Sequence, residues 1–150
     1  MDTDFTGDIN DQKSTSRWIF TFNGAPISWA SKKQGLVTRS SMEVELIVGS
    51  IASAEGIWLI RLRKDFKHDF TPIPMFTNNQ SFITLTKNDI DNARTKNIDT
   101  HYHYTCEQVN ASNIQLHYVT SLNNPANILM KPLPPCKHMN LLNTLGIHHV

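Results

Sequence analysis

At 150 residues the chain fits one ordinary domain, long enough to bury roughly two-thirds of its unfolded surface, and its formal charge of +1 singles out no partner. Apolar residues make up 39% and charged residues 18%, a balance that places it among folded globular chains and excludes disorder. No run approaches the roughly 20 apolar residues a bilayer span needs, and the opening MDTDFTGDIND is acidic where a signal peptide is basic and then apolar. An intracellular protein, cytoplasmic or nuclear and with no membrane partner, is therefore expected. Cys106 and Cys136, far apart, read as thiols and not as a disulfide.

In chain order, residues 1–5 offer only a stub of a strand before the polar loop TGDINDQKSTS. The run WIFTF is β-branched and aromatic, Asn23-Gly24 is the dipeptide of a two-residue hairpin turn, and ISWA resumes the apolar pattern, so a β-hairpin is predicted. After SKKQGLVTR, Ser40 and Glu43 stand at capping-box spacing, and SMEVELIVGSIASAEGIWLIRLRKDF has the length of one or two helices. Gly49 and Gly56 weaken its middle, where a kink or break is expected. Residues 73–77 read as a short strand, with Pro72 and Pro74 restricting it to a strand start or an unpaired side.

A short helix over residues 79–86 follows, capped by Asn78 or Asn79. Residues 98–109 read as a helix and IQLHYVT alternates as a strand. Asn124-Pro125 opens a further helix, with Asn as cap and Pro at its first position. The tail 132–150 is broken by Pro and then weakly helical, beside a main domain of residues 1–131. Three strands followed by strand–helix alternation make a mixed sheet, an antiparallel hairpin plus parallel strands joined by right-handed crossovers. Ligands on such sheets gather at the carboxyl ends of the parallel strands, where Asp2, Asp4 and the stretch FTNNQ would meet.

Several blocks, in order, carry a resemblance that spans nearly the whole chain: DTDFTGDINDQKSTSRWIFTFNGAPISWASKKQ, TRSSMEVEL, EGIWLIRLRKDF, NNQSFITLTKN, RTKNIDTHYHY and NPANILMKPLP. Together they resemble the ribonuclease H domain of copia-type LTR-retrotransposon Pol polyproteins. The resemblance implies an α/β, ribonuclease H-like fold: a five-stranded mixed sheet with helices on both faces, here with the first strand truncated, since Met1 directly precedes Asp2. It also implies hydrolysis of RNA in RNA–DNA hybrids with two Mg2+ or Mn2+ ions, and a reverse transcriptase in the same polyprotein as partner.

Two such ions, about 4 Å apart, clamp the scissile phosphate, and hard carboxylate oxygens hold them and offset their charge. The family draws four acids from the first strand, the first helix, the end of the fourth strand and the last helix. Block by block these fall on Asp2, Glu45, Asn78 and Asn127. Glu45 matches better than Glu43 because apolar Leu46 follows it, leaving Glu43 for the helix cap. Asp2 and Glu45 keep their acids and are the metal ligands implied. Asn78 stands where the family has Asp-Asn-Gln and Asn127 where it has Ala-Asp-Ile-Leu. An amide carbonyl can touch a cation but carries no formal charge.

At an effective dielectric of 20, two unit charges about 4 Å apart interact by roughly 4 kcal/mol, and about 1.4 kcal/mol is tenfold in rate. The expectation is therefore an inactive remnant. A non-catalytic hybrid-binding module and a working ribonuclease H, completed by upstream chain or by Asp4 or Glu43, are the alternatives.

For hybrid binding the candidate phosphate contacts are Lys32, Lys33, Arg39, Arg94 and Lys96, with Arg61, Arg63, Lys64 and Lys87 as further basic groups. Trp29, Trp58 and Phe82 read as core in preference to base-stacking platforms. Asn97 takes the family's usual His position, while Arg94, Lys96, Asp99 and His103 are retained. A zinc site from His101, His103, Cys106, Cys136 and His138 is disfavoured, because helical residues two apart diverge and no C-x2-C or H-x3-H pair is present.

Overall fold

The computed structural model describes residues 2–4, 15–33, 41–67, 71–88, 99–129 and 133–148; the side chains of residues 2–4, 41, 42, 88 and 99 are outside that description. The elements run β1 Asp2–Asp4, β2 Thr15–Phe22, β3 Ala25–Lys33, α1 Ser41–Asp65, β4 Ile73–Thr77, α2 Gln80–Asn88, α3 Asp99–Asn110, β5 Ile114–Tyr118, a 3-10 helix Pro125–Leu129 and α4 Pro135–Thr144.

The hairpin forms where its turn dipeptide predicts. Asn23 and Gly24 take φ of 50° and 79°, both in the left-handed region that a tight hairpin between right-twisted strands requires. β2 and β3 pair antiparallel from Thr15↔Lys33 to Phe22↔Ala25, with a register shift between Phe20 and Thr21. β1 pairs antiparallel with the other side of β2, Asp2↔Arg17 to Asp4↔Thr15. Ser16 and Arg17 are neighbours whose side chains leave opposite faces of β2, and both are buried, so β2 is covered on both faces at that point.

β4 and β5 pair parallel, Ile73↔Ile114 to Thr77↔Tyr118. Among the described residues the strands therefore form two sheets, β1-β2-β3 and β4-β5, in place of the single five-stranded sheet expected. Pro74 removes one donor from the other edge of β4. The Ile73 N–H donates to the Asn113 carbonyl on the β5 side at 2.9 Å, so Pro74 lies on the opposite edge, where it has no N–H to give.

α1 runs unbroken for 25 residues through both glycines, where a kink or break was expected. Their role is close approach. A Cβ on Gly49 would come 2.7 Å from Phe82 Cε2, and one on Gly56 would sit 3.5 Å from the Phe20 ring. Phe82 of α2 thus fills a notch in α1, within a core that includes Val44, Leu46, Val48, Met75, Tyr102, Ile114 and Leu116. Polar links fix the other contacts of α1: Ser28 Oγ of β3 donates to Glu55 at 2.6 Å, and His101 Nδ1 of α3 lies 3.1 Å from Ser50 Oγ.

Asn79 caps α2, its Oδ1 accepting the Phe82 N–H at 3.0 Å, which settles the choice between the two asparagines. Asn79→Ala should cost about 1 kcal/mol in denaturant-derived stability, the usual worth of such a cap. At Asn124-Pro125 the asparagine caps as expected, Oδ1 accepting the Ala126 N–H at 3.1 Å, but the element is a five-residue 3-10 helix. α4 follows, and Leu141 and Leu145 are buried. Cys106 and Cys136 are free thiols. No helix among the described residues is long and apolar enough to cross a membrane.

Candidate functional site

Parallel pairing of β4 with β5 brings their carboxyl ends side by side, and the Val119 N–H closes the ladder on the Thr77 carbonyl at 2.9 Å. Asn78 is the first residue beyond β4, and Ser121 lies three residues beyond β5. Asn78 Nδ2 donates to Ser121 Oγ at 2.9 Å. Asn127, on the 3-10 helix, donates its Nδ2 to the carbonyl of the same Ser121. Its own N–H donates to the Asn124 carbonyl at 3.1 Å, and Asn124 is 1% exposed, so this turn is held from inside.

The two asparagines singled out from the sequence are therefore joined through one shared residue. Ser121 is the part that sequence reasoning missed. Nothing in VTSLNNPAN marks it, and extending the parallel register past Thr77↔Tyr118 would set Val119, not Ser121, opposite Asn78, so the contact is made by the turn that follows β5.

The polarity of these bonds is fixed by chemistry. A backbone carbonyl only accepts, so Asn127 must present its nitrogen to Ser121, and a carboxylate there could make no such bond. Asn127 is 6% exposed, so the bond is made away from water. Asn78 Oδ1 is buried and has no hydrogen-bond partner among the described residues.

Glu45 lies in the second turn of α1, 5% exposed between Val44 and Leu46, which are fully buried. Asp2 is placed by its backbone alone, in β1 opposite Arg17. α1 packs against both β1 and β2, so these two positions belong to adjacent elements. Arg17 is a second residue that sequence reasoning passed over: it is 2% exposed, an unusual burial for arginine.

The donor set does not fit two divalent ions. Hard cations of this kind call for several anionic oxygens, and the Asn78–Asn127 pair offers one neutral carbonyl aimed inward and one amide whose nitrogen is committed to Ser121. Among the described residues, no three side chains of His, Cys, Asp or Glu are grouped so as to hold a metal ion. His101 is tied to Ser50, Cys106 is buried and Cys136 is exposed.

The basic residues divide. Lys32 and Lys33 are exposed at the end of β3, and Arg61, Lys64 and Lys87 are exposed on helices. Arg63 is half-buried, its guanidinium 4.3 Å above the Phe22 ring, so it packs as well as carrying charge. Arg39, Arg94 and Lys96, and with them Asn97, lie outside the described residues. Phe82 is core, as expected, but Trp29 and Trp58 are 62% and 54% exposed, correcting the reading of both as core. Trp29 sits on the outward-alternating positions of β3, while Pro26, Ser28 and Ala30 take the more covered side.

No protein-family model matches the chain, and no solved structure matches it. Curated proteins do. It is 35% identical over 147 residues, 98% of its length, to the retrovirus-related Pol polyprotein from transposon TNT 1-94 of Nicotiana tabacum. It is 31% identical to the corresponding polyproteins from transposons RE1 and RE2 of Arabidopsis thaliana, over 99% and 97% of its length. Its homologues are retrovirus-related Pol polyproteins from transposons. The chain spans about a tenth of the length of each, 11%, 10% and 10% respectively. Those relatives are named for a whole Pol polyprotein.

Proposed function

We propose that this chain is a retrotransposon-derived Pol segment of ribonuclease H type, in which metal-dependent cleavage of the RNA strand of RNA–DNA hybrids has been lost. The observation that carries the reading is the Asn78–Ser121–Asn127 cluster. Two amides occupy the positions that the family resemblance assigns to metal-binding acids, and they are held by hydrogen bonds that use them as donors. Removing two negative charges from a site built to hold two divalent ions costs several kcal/mol of electrostatic stabilisation per charge at about 4 Å, and so many decades in rate. The finer fold belongs to the same proposal: one ribonuclease H-like sheet of five strands, with β1 lying between β2 and β4.

A second reading, hybrid binding without cleavage, is favoured by exposed Trp29 and exposed Lys33 on the same face of β3, with exposed Lys32 at the strand's end. An aromatic face next to cations suits a nucleic-acid backbone and its sugars.

One experiment tests both. The chain is incubated with a labelled RNA–DNA hybrid in Mg2+ and separately in Mn2+, and binding is followed over a range of salt. No cleavage above background is the expected result; cleavage abolished by Glu45→Gln would overturn the proposal. Binding that weakens steeply with salt, without cleavage, selects the second reading.

A further inference from the structure

The strand order β1-β2-β3 leaves β3 with β2 on one side and, among the described residues, no strand on the other. Phe22↔Ala25 closes the two-residue turn as a pair that exchanges hydrogen bonds, so the next pair, Thr21↔Pro26, turns away from β2 the N–H that proline lacks. The open edge therefore begins at Ile27 and runs to Lys33. Such an edge presents a row of backbone donors and acceptors that pairs with another strand.

A second open feature lies beside this edge. Ile51, Glu55, Trp58 and Leu62 recur at helical three- and four-residue spacing, which puts them on one flank of α1, and the three apolar members are exposed. Glu55 locates that flank: it accepts the Ser28 hydroxyl of β3 at 2.6 Å, while Ser50, on another flank, meets His101 of α3. The apolar stripe thus runs along the face of β3 that carries Ser28, Ala30 and Lys32. Ser28 and Ala30, both small, leave it uncovered there.

We propose that a second copy of this chain occupies this flank, β3 pairing antiparallel with β3 about a two-fold axis at Ala30, with the two α1 stripes facing each other above the joint. Charge selects the occupant. In that register Lys32 stands opposite Ser28 of the second copy, on the face where Ser28 is bonded to Glu55. Each Lys32 ammonium is thereby set beside a Glu55 carboxylate across the interface, and the two-fold axis makes this contact twice. The two Lys33 residues are kept apart, each opposite Ile27. α1 is acidic in its first turn, at Glu43, and basic in its last, at Arg63 and Lys64, so the antiparallel arrangement also brings unlike ends together. A different partner would have to supply a strand, a carboxylate and an apolar helix at matching spacing; a second copy has all three. The inference stands apart from the loss of cleavage and involves neither nucleic acid nor metal.

The test follows the 150-residue chain by sedimentation equilibrium between about 1 µM and about 1 mM, with amide hydrogen exchange at both ends of the range. The mass is expected to rise from one chain to two, and amides in residues 27–33 to slow at the higher concentration. Lys32→Glu and Glu55→Lys each set like charges together at both contacts, and each should weaken dimerisation at least tenfold. An equimolar mixture of the two variants restores both unlike contacts in a mixed dimer, so it should associate where neither variant does alone. Lys32 is exposed, so Lys32→Glu keeps the fold and carries the test should Glu55→Lys unfold. A chain that stays single at the highest concentration overturns the proposal and leaves this flank to another segment of the longer polyprotein. So does a dimer that Lys32→Glu leaves as strong, a dimer in which residues 27–33 exchange as before, or a mixture of two folded variants that stays single.

Discussion

Asn127→Asp is expected to destabilise the fold by about 2–4 kcal/mol at neutral pH, although it exchanges one atom and restores the residue type the family resemblance assigns to this position. The side chain is 6% exposed and donates to the Ser121 carbonyl. A carboxylate has nothing to donate, so two acceptors would face each other out of water, and the new negative charge would lose hydration without gaining a partner. Asn78→Asp should be much milder, below about 1 kcal/mol, because its partner is the Ser121 hydroxyl, which can rotate and donate to a carboxylate. The contrast between the two variants in urea denaturation checks the argument.

The pH dependence checks it again. Burial against a carbonyl raises the new carboxyl's affinity for its proton in the folded state, so its contribution is favourable at low pH and is lost as pH rises through the folded-state value. The deficit of Asn127→Asp relative to the parent should therefore shrink on acidification, when the protonated carboxyl can donate to Ser121 as the amide does. A deficit independent of pH would show that packing, and not donor polarity, holds this turn. The double variant Asn78→Asp/Asn127→Asp tests the alignment with the family: Mn2+ should raise its Tm relative to the metal-free sample and leave the parent unchanged.

The hydrogen bonds also show what was legible in the sequence and what was not. The hairpin was readable because Asn23-Gly24 solves a local problem: both residues must take positive φ, and few dipeptides do so easily. The cap of α2 was readable to within one residue. Either asparagine could cap, and the choice fell to Asn79 because Asn78 is engaged across the sheet with Ser121. That engagement depends on the register of β4 with β5, which is a long-range fact.

Other misreadings have similar causes. Trp29 and Trp58 read as core from composition, but large aromatics settle wherever an element leaves a face open, and one strand and one helix each leave such a face. At Asn124-Pro125 the start signal was correct while the helix type was not. A cap and a proline specify how a helix begins and not its hydrogen-bond spacing, and the element that follows them here is a 3-10 helix of five residues. The missing donor of Pro74 could be counted from sequence, but the edge of β4 on which it falls could not.

The glycines of α1 give the second large expected effect. From sequence they looked like two equivalent weak points, each worth about 1 kcal/mol of helix propensity relative to Ala. The structure separates them. At Gly56 a new Cβ would meet Phe20 at 3.5 Å, an ordinary contact, so Gly56→Ala should gain most of that propensity and raise stability by about 0.5–1 kcal/mol.

At Gly49 the new Cβ would reach 2.7 Å from Phe82 Cε2, inside contact distance of a ring that is 0% exposed and walled by the core. Phe82 has nowhere to move. Overpacking of this kind costs about 1–3 kcal/mol, which outweighs the propensity gain, and Gly49→Val should be worse than Gly49→Ala.

The decisive comparison is a double-mutant cycle. Phe82→Leu alone should be destabilising, since it removes buried ring atoms from the notch, but in its background Gly49→Ala should become neutral or stabilising because the overlapping atoms are gone. A coupling energy near zero would mean that α1 tolerates the methyl by some other shift, and that the notch does not set the approach of α2. That approach matters to the site. Asn79, the cap of α2, directly follows Asn78, so the seat of Phe82 against Gly49 fixes the helix whose first turn holds the end of β4 in place. A methyl group at Gly49 should therefore also disturb the Asn78–Ser121 bond, visible as a chemical-shift change at the Asn78 side-chain amide that Gly56→Ala does not produce.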